Sequence, residues 1–172
     1  MDPLLKKLQE EIASARSAVP PERAGSRPPG KWCANELLEH LYLTYTGMIK
    51  GMSQVTEAGQ PRVARPTWRQ RAGALVVLGM GYMPSGRKAP RMAVPRGLPP
   101  EKVLAEIDAK ITEMDECIRR CEEQFGMRTK LLDHPFLGPL TGAQWRKFHW
   151  VHGRHHARQI RRLARDVRKE PE

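Results

Sequence analysis

Three histidines carry the clearest chemistry in this chain of 172 residues. His152 and His156 stand four positions apart, and residues with this spacing lie on the same face of a helix. Two imidazole nitrogens placed in this way can hold one zinc, nickel, copper or iron ion. His40, in an earlier apolar segment, can supply a third ligand across the core. Three protein ligands leave at least one coordination position for water or substrate.

The competing interpretation of these histidines is structural. A single histidine on an apolar face is usually a core residue that finds a hydrogen-bond partner. A buried imidazole without a partner is costly, and either a hydrogen bond or a metal ion would satisfy it. The spacing alone therefore leaves both interpretations open.

Apolar periodicity predicts four long helices and one short helix, and hence an all-α bundle without a strand ladder. Asn35 and Thr141 are interpreted as N-caps, and Gly126 as the end of the fourth helix. His40 lies beside the apolar stripe of the second helix, whereas His152 and His156 lie in that of the last. The predicted helices run from about Pro3 to Ala18, from Ala34 or Asn35 to just before Gly59, from Thr67 to Met83, from Glu101 to Phe125, and from Gly142 to Val167.

The stretch 84–100 interrupts this helical pattern with five prolines and several basic residues. It is predicted to form a basic loop, ordered or mobile. The longer Gly- and Pro-rich stretch from Arg65 to Pro100 is expected to shape the mouth of the site. The chain length fits one domain over residues 1–172, with the last few C-terminal residues disordered.

The formal net charge of +11 favours anionic partners such as nucleic acid, an acidic membrane surface or an anionic metabolite. A run of charge is usually a solvated helix face, and no helix-turn-helix or zinc-finger spacing supports DNA binding. No apolar run reaches the roughly 18 residues of a membrane span, and no signal peptide is recognised. The late basic residues are Arg146, Lys147, Arg154, Arg158, Arg161, Arg162, Arg165, Arg168 and Lys169.

The three cysteines are an odd number without the spacing of a disulfide framework, which predicts a reduced, cytoplasmic protein. Cys117 and Cys121 are interpreted as small core residues. Cys33 precedes the second helix but is not predicted to be a nucleophile. The segment 81–88 has the glycines of a phosphate loop, but it lacks the terminal Lys-Ser/Thr pair and is rejected.

Three segments resemble the DinB superfamily in the expected order. Trp32-Cys-Ala-Asn-Glu-Leu-Leu-Glu-His40-Leu resembles the start of its second helix. His152-x-x-His155-His156-x-x-Gln159-Ile160 resembles its final-helix motif. The segment His134-Pro-Phe-Leu-Gly-Pro-Leu-Thr-x-x-Gln-Trp145 is similar to the connection in the DUF1569 branch.

This resemblance implies a four-helix bundle with a three-histidine metal site. Carried over by position, the ligands of a zinc or nickel ion would be His40, His152 and His156. His155 is expected off the metal, and Gln159 in a supporting or structural role. His134 and His149 match no ligand. The resemblance also makes a homodimer plausible.

Three functional hypotheses follow. The first is a metal-dependent enzyme, either a transferase or isomerase that uses a thiol such as bacillithiol, mycothiol or glutathione, or a hydrolase that uses metal-bound water. A small-molecule substrate or thiol would then be the partner, and no catalytic base is assigned. The second is a non-catalytic metal-binding bundle in stress response or oligomerisation. The third is a nucleic-acid binder that uses the basic last helix.

Overall fold

The computed structural model describes residues 1–84, 86 and 88–167, with the backbone alone at 166 and 167. The described chain is an all-α bundle, as predicted. Its short helical turns are Pro21–Arg23, Leu75–Gly79 and Arg91–Ala93. The predicted C-terminal disorder falls largely outside the described residues. The α-helices are α1 (Pro3–Ser17), α2 (Ala34–Glu57), α3 (Trp68–Ala74), α4 (Pro100–Phe125) and α5 (Gly142–Val167).

The two main helix pairs, α2 with α4 and α1 with α5, bury their apolar stripes in a common core. Cys117 and Cys121 lie in this core as free thiols, as predicted. Gly153 permits a close approach of α1, because a Cβ atom there would overlap the side chain of Leu8. Over the described residues, no helix has the length and apolarity needed to cross a membrane. Fully buried core side chains include Leu5, Leu8, Ile12, Leu41, Tyr45, Met52, Ile107, Ile111, Met114 and Ile118.

Two predicted helix ends were wrong. The N-cap of α2 is Cys33, because its extended backbone precedes the first helical residue and its N–H donates to Glu36 Oε2 over 2.9 Å. Asn35 therefore already lies inside the helix. The predicted third helix is shorter, since α3 ends at Ala74 and continues only as a π-helical turn to Gly79.

A small antiparallel hairpin was not predicted. It joins β1 (Leu132–His134) to β2 (Gly138–Leu140). The turn is held by His134 Nδ1, which accepts the backbone N–H groups of Phe136 and Leu137 over 3.1 and 3.2 Å. Strands of three residues are too short to show the alternation from which strands are recognised in a sequence.

The segment between α3 and α4 packs against α2 where it is described. Ala93 is buried, and Glu39 of α2 accepts the backbone N–H groups of Arg96 and Gly97 over 2.6 and 3.1 Å. Glu39 is itself only 3% exposed, so these bonds satisfy a buried carboxylate. This contact brings the Ala93 carbonyl beside His40.

The basic face of α5 is not solvated throughout, which corrects the prediction for Arg146. Its guanidinium is buried and donates to Asp115 Oδ1 over 2.7 Å and to Glu122 Oε1 over 2.8 Å. Arg161 likewise pairs with Glu11 over 2.7 Å. These two cations therefore stabilise contacts of α5 with α4 and α1.

We expect Arg146→Ala to lower the free energy of unfolding by about 3–5 kcal/mol, because two largely buried carboxylates would lose their common partner. Urea unfolding followed by circular dichroism measures the loss. Lys147→Ala, at the exposed neighbouring position, should change the free energy by less than about 0.5 kcal/mol. Equal effects of the two substitutions would contradict a structural role for the Arg146 network.

Candidate metal centre

Three histidine side chains converge where α2 meets α5. His152 Nε2 lies 3.1 Å from His40 Nε2 and 3.0 Å from His156 Nε2. Nitrogen ligands about 2.0–2.1 Å from a tetrahedral zinc ion are about 3.3 Å apart. The observed separations are close to that value. The buried group could therefore hold a metal ion.

The outer nitrogens of two of these histidines are fixed by hydrogen bonds. His40 Nδ1 lies 2.7 Å from the Ala93 carbonyl oxygen, which only accepts, so this nitrogen carries the proton. His156 Nδ1 lies 2.7 Å from Gln159 Oε1. In a neutral imidazole the lone pair is then on Nε2. Metal-binding histidines usually show this arrangement, with the outer N–H bonded to an oxygen.

The Nε2 atoms of the three histidines are better suited to bind a shared cation than to hydrogen-bond with one another. With the outer protons placed as above, His40 Nε2 and His156 Nε2 are both acceptors. His152 Nε2 can carry one proton and donate it to only one of them. A divalent metal would accept all three lone pairs at once. The donor set is therefore of the kind that binds a divalent transition metal such as zinc, copper, iron or nickel.

Packing holds the rings in place. His152 stacks on Phe148 at a centroid distance of 5.3 Å and an interplanar angle of 11°. Trp32 lies against His40 at 5.2 Å. The Nδ1 atom of His152 is buried and has no hydrogen-bond partner within the described chain. Its orientation therefore depends on ring packing and on its contacts with His40 and His156.

Burial keeps these imidazoles neutral. Desolvation lowers the pKa of His40 and, strongly, that of His152, which the nearby His156 and His40 lower further. Desolvation, followed by the proximity of His40, lowers the pKa of His156 to about 3. Metal binding requires unprotonated imidazole. At neutral pH the three imidazoles can thus bind a metal ion without releasing a proton to solvent.

The other histidines stay outside this cluster. His155 packs its ring against His156, with centroids 5.1 Å apart. Burial lowers the pKa of His155, and Arg162 and Arg158 lower it further. His149 is fully buried, and desolvation lowers its pKa to about 3. His134, the acceptor in the hairpin turn, has a pKa lowered by burial to about 4.

Cys33 does not have the surroundings of a nucleophile. Its thiol is buried, and burial is the main cause that raises its pKa. A raised pKa disfavours the thiolate, which is the reactive form. Cys33 is also absent from the wall of the cavity described next.

The three histidines line a central cavity of about 1790 Å³. Its walls come from residues 30–32, α2, the α3 region, described residues between 83 and 94, the hairpin and α5, and they are largely apolar. The described charged residues on them are five cations and one carboxylate, Asp133. A concave, mainly apolar space with a few polar groups is the usual form of a small-molecule site. The cations are Lys31, Lys50, Arg69, Lys88 and Arg162.

Two supporting groups were missed by sequence reasoning. The Ala93 carbonyl has no sequence signal, because every residue carries such a group. Glu39 did have a sequence signal, because a carboxylate within the apolar run from Leu37 to Leu41 needs buried partners. Gln159, predicted as a supporting residue, is indeed bonded to His156.

One protein family matches most of the chain. The family model described as "Protein of unknown function (DUF1569)" matches residues 7–163, so the chain belongs to this family. No curated protein and no solved structure matches the chain. The matched range includes the three histidines and the elements that bring them together.

Proposed function

We propose that this protein binds a divalent metal, zinc or nickel, through His40, His152 and His156, and acts as a metal-dependent enzyme on a small molecule. One observation carries the proposal: on the wall of a large cavity, the Nε2 atom of neutral His152 lies 3.1 Å from that of His40 and 3.0 Å from that of His156, and the ligand atoms of all three lie within 4.8 Å of one another. The resemblance to the DinB superfamily supports the same assignment.

A bound metal would lower the pKa of a thiol or water in its open position and present it as a nucleophile. The residues of the chain bind this metal and orient its ligands. His40, His152 and His156 provide the ligands, while the Ala93 carbonyl and Gln159 orient two of them. The largely apolar cavity wall lowers the local dielectric and so strengthens electrostatic interactions at the centre.

Thiol transfer is favoured over hydrolysis by the charge of the cavity. Five described cations on the wall, against one carboxylate, attract an anionic substrate or cosubstrate. Glutathione and bacillithiol carry carboxylates and are anionic thiols of this kind, whereas mycothiol carries no carboxylate. Three free cysteines fit a reducing, cytoplasmic location.

Turnover tests the proposal. We expect zinc- or nickel-loaded protein to consume a low-molecular-weight thiol in the presence of an electrophile. His156→Ala should lower the rate by about two orders of magnitude or more, because the ligand set is broken. Lys147→Gln, an exposed change on the same helix, should keep the wild-type rate. Loss of the thiol is followed photometrically.

The alternative is a non-catalytic metal-binding bundle. It predicts that the metal raises stability while no thiol or ester substrate is turned over faster by wild type than by His156→Ala. Nucleic-acid binding has weaker support, since Arg146 and Arg161 on the basic helix already pair with carboxylates of the same chain.

A further inference from the structure

A second cluster of chemistry lies on α5 beside the histidines. Arg154, Arg158 and Arg162 follow one another at intervals of four and therefore share one face of the helix. With His155 they line a recess of about 250 Å³, here called the arginine recess. No aspartate or glutamate is among the described residues that line it.

The three arginines differ in their partners. Arg154 is held in place, because its Nη2 donates to the Gly81 carbonyl over 3.0 Å and its guanidinium lies 5.5 Å from the Trp150 ring centroid. Arg158 and Arg162 are exposed and form neither a hydrogen bond nor an ion pair with any other described side chain or backbone group. Like charges four apart on a helix repel each other, and an anion between them would offset this repulsion.

The arginine recess borders the central cavity. Met83, His155, Gln159 and Arg162 line both spaces. Gln159 also holds the outer nitrogen of His156. Arg162 follows His156 by six residues, which is about 9 Å along the helix axis. An anion in the recess would therefore lie within the length of one small molecule from the three histidines.

We propose that the arginine recess binds an oxyanion, a phosphate, sulfonate or carboxylate, through Arg158 and Arg162. This inference rests on the proposed function: the oxyanion belongs to the substrate, and the apolar part of the substrate extends into the central cavity toward the histidines. Guanidinium groups suit this task, because their planar N–H donors match the oxygen geometry of such anions.

Titration calorimetry with inorganic phosphate and phenyl phosphate at constant ionic strength tests the inference. We expect both to bind, and phenyl phosphate to bind more tightly, because its ring reaches apolar wall. Arg158→Gln/Arg162→Gln should weaken both by at least about tenfold. Lys7→Gln/Lys147→Gln removes the same charge at two exposed lysines away from the recess and should leave both affinities unchanged.

The same titrations on His152→Ala/His156→Ala separate the two proposals. Phosphate binding that survives in this variant, but not in the arginine variant, supports the arginine recess whether or not the chain is a metalloenzyme. Binding that is lost in the histidine variant and kept in the arginine variant would assign phosphate to the metal and overturn the inference. Equal weakening by the arginine and lysine pairs, equal affinity for the two probes, or no binding would also overturn it.

Discussion

Protein purified without a His tag is expected to carry about one divalent metal ion per chain, and His152→Ala/His156→Ala to carry almost none. The double substitution leaves a single imidazole, and one neutral nitrogen does not hold zinc or nickel against solvent. Inductively coupled plasma mass spectrometry after gel filtration measures the metal content. Circular dichroism checks that the helical content of the variant is retained.

Two single substitutions make this experiment specific. His155→Ala removes a neighbouring histidine that lies outside the cluster, and its metal content should match that of wild type. Gln159→Leu removes the partner of His156 Nδ1 and should weaken metal affinity by about 10–100-fold. Equal metal content in wild type and in His152→Ala/His156→Ala would exclude the proposed centre.

The long helices were predictable because their signal is local. Apolar residues at intervals of three and four mark α1, α2, α4 and α5 wherever they pack, and Gly126 ends α4 as expected. The N-cap of α2 was not predictable, because cysteine is an unusual N-cap. The bond that stabilises this cap runs from the Cys33 N–H to the side chain of Glu36. The hairpin and the π-helical turn depend on tertiary contacts over a few residues, where periodicity has no room to appear.

The residues of the candidate metal centre also divide into those that local spacing predicts and those that require the fold. His152 and His156 follow from spacing on one helix, and Gln159 lies three residues from the second of them. His40 is 112 positions from His152 and reaches it only because α2 packs against α5. Its place in the cluster was predicted mainly from the resemblance. The Ala93 carbonyl required the fold, since nothing in the sequence marks one carbonyl among many.

The cations of α5 show a similar limit to what the sequence can predict. The sequence counts cations on α5 but does not say which of them have partners. Arg146 and Arg161 are paired, whereas Arg158 and Arg162 have no partner among the described residues. The anion-binding inference depends on this difference and not on the net charge. A charge run on a helix can thus combine structural and functional cations.

Acid should unfold the metal-free protein before pH 4, through its buried histidines. The pKa of each of the six histidines is lowered, chiefly by burial, so the folded state keeps them neutral. In the unfolded chain they bind protons near pH 6.5. Their contribution to stability is therefore fully present above about pH 6.5 and is lost progressively as the pH falls.

The magnitude follows from His134 and His149, whose pKa values are lowered to about 4 and about 3. For each such histidine, the free energy of unfolding falls by about 1.4 kcal/mol for every pH unit by which the pH drops between the pKa of the unfolded chain and that of the folded state. Together with His156, whose pKa is lowered to about 3, these histidines lower the free energy of unfolding by about 4 kcal/mol per pH unit, or about 10 kcal/mol between pH 6.5 and 4, which lies within the typical stability of about 5–15 kcal/mol.

Urea midpoints in EDTA at pH 7.5, 6.5, 5.5 and 5.0, followed by circular dichroism, measure this dependence. His149→Phe removes one of the buried groups while it keeps a ring among Tyr45, Trp145 and Phe148. We expect its plot of unfolding free energy against pH to be shallower below pH 6 by about one proton, or 1.4 kcal/mol per unit. Lys147→Gln should retain the wild-type slope. Parallel slopes for wild type and His149→Phe would show that His149 is not held neutral in the folded state.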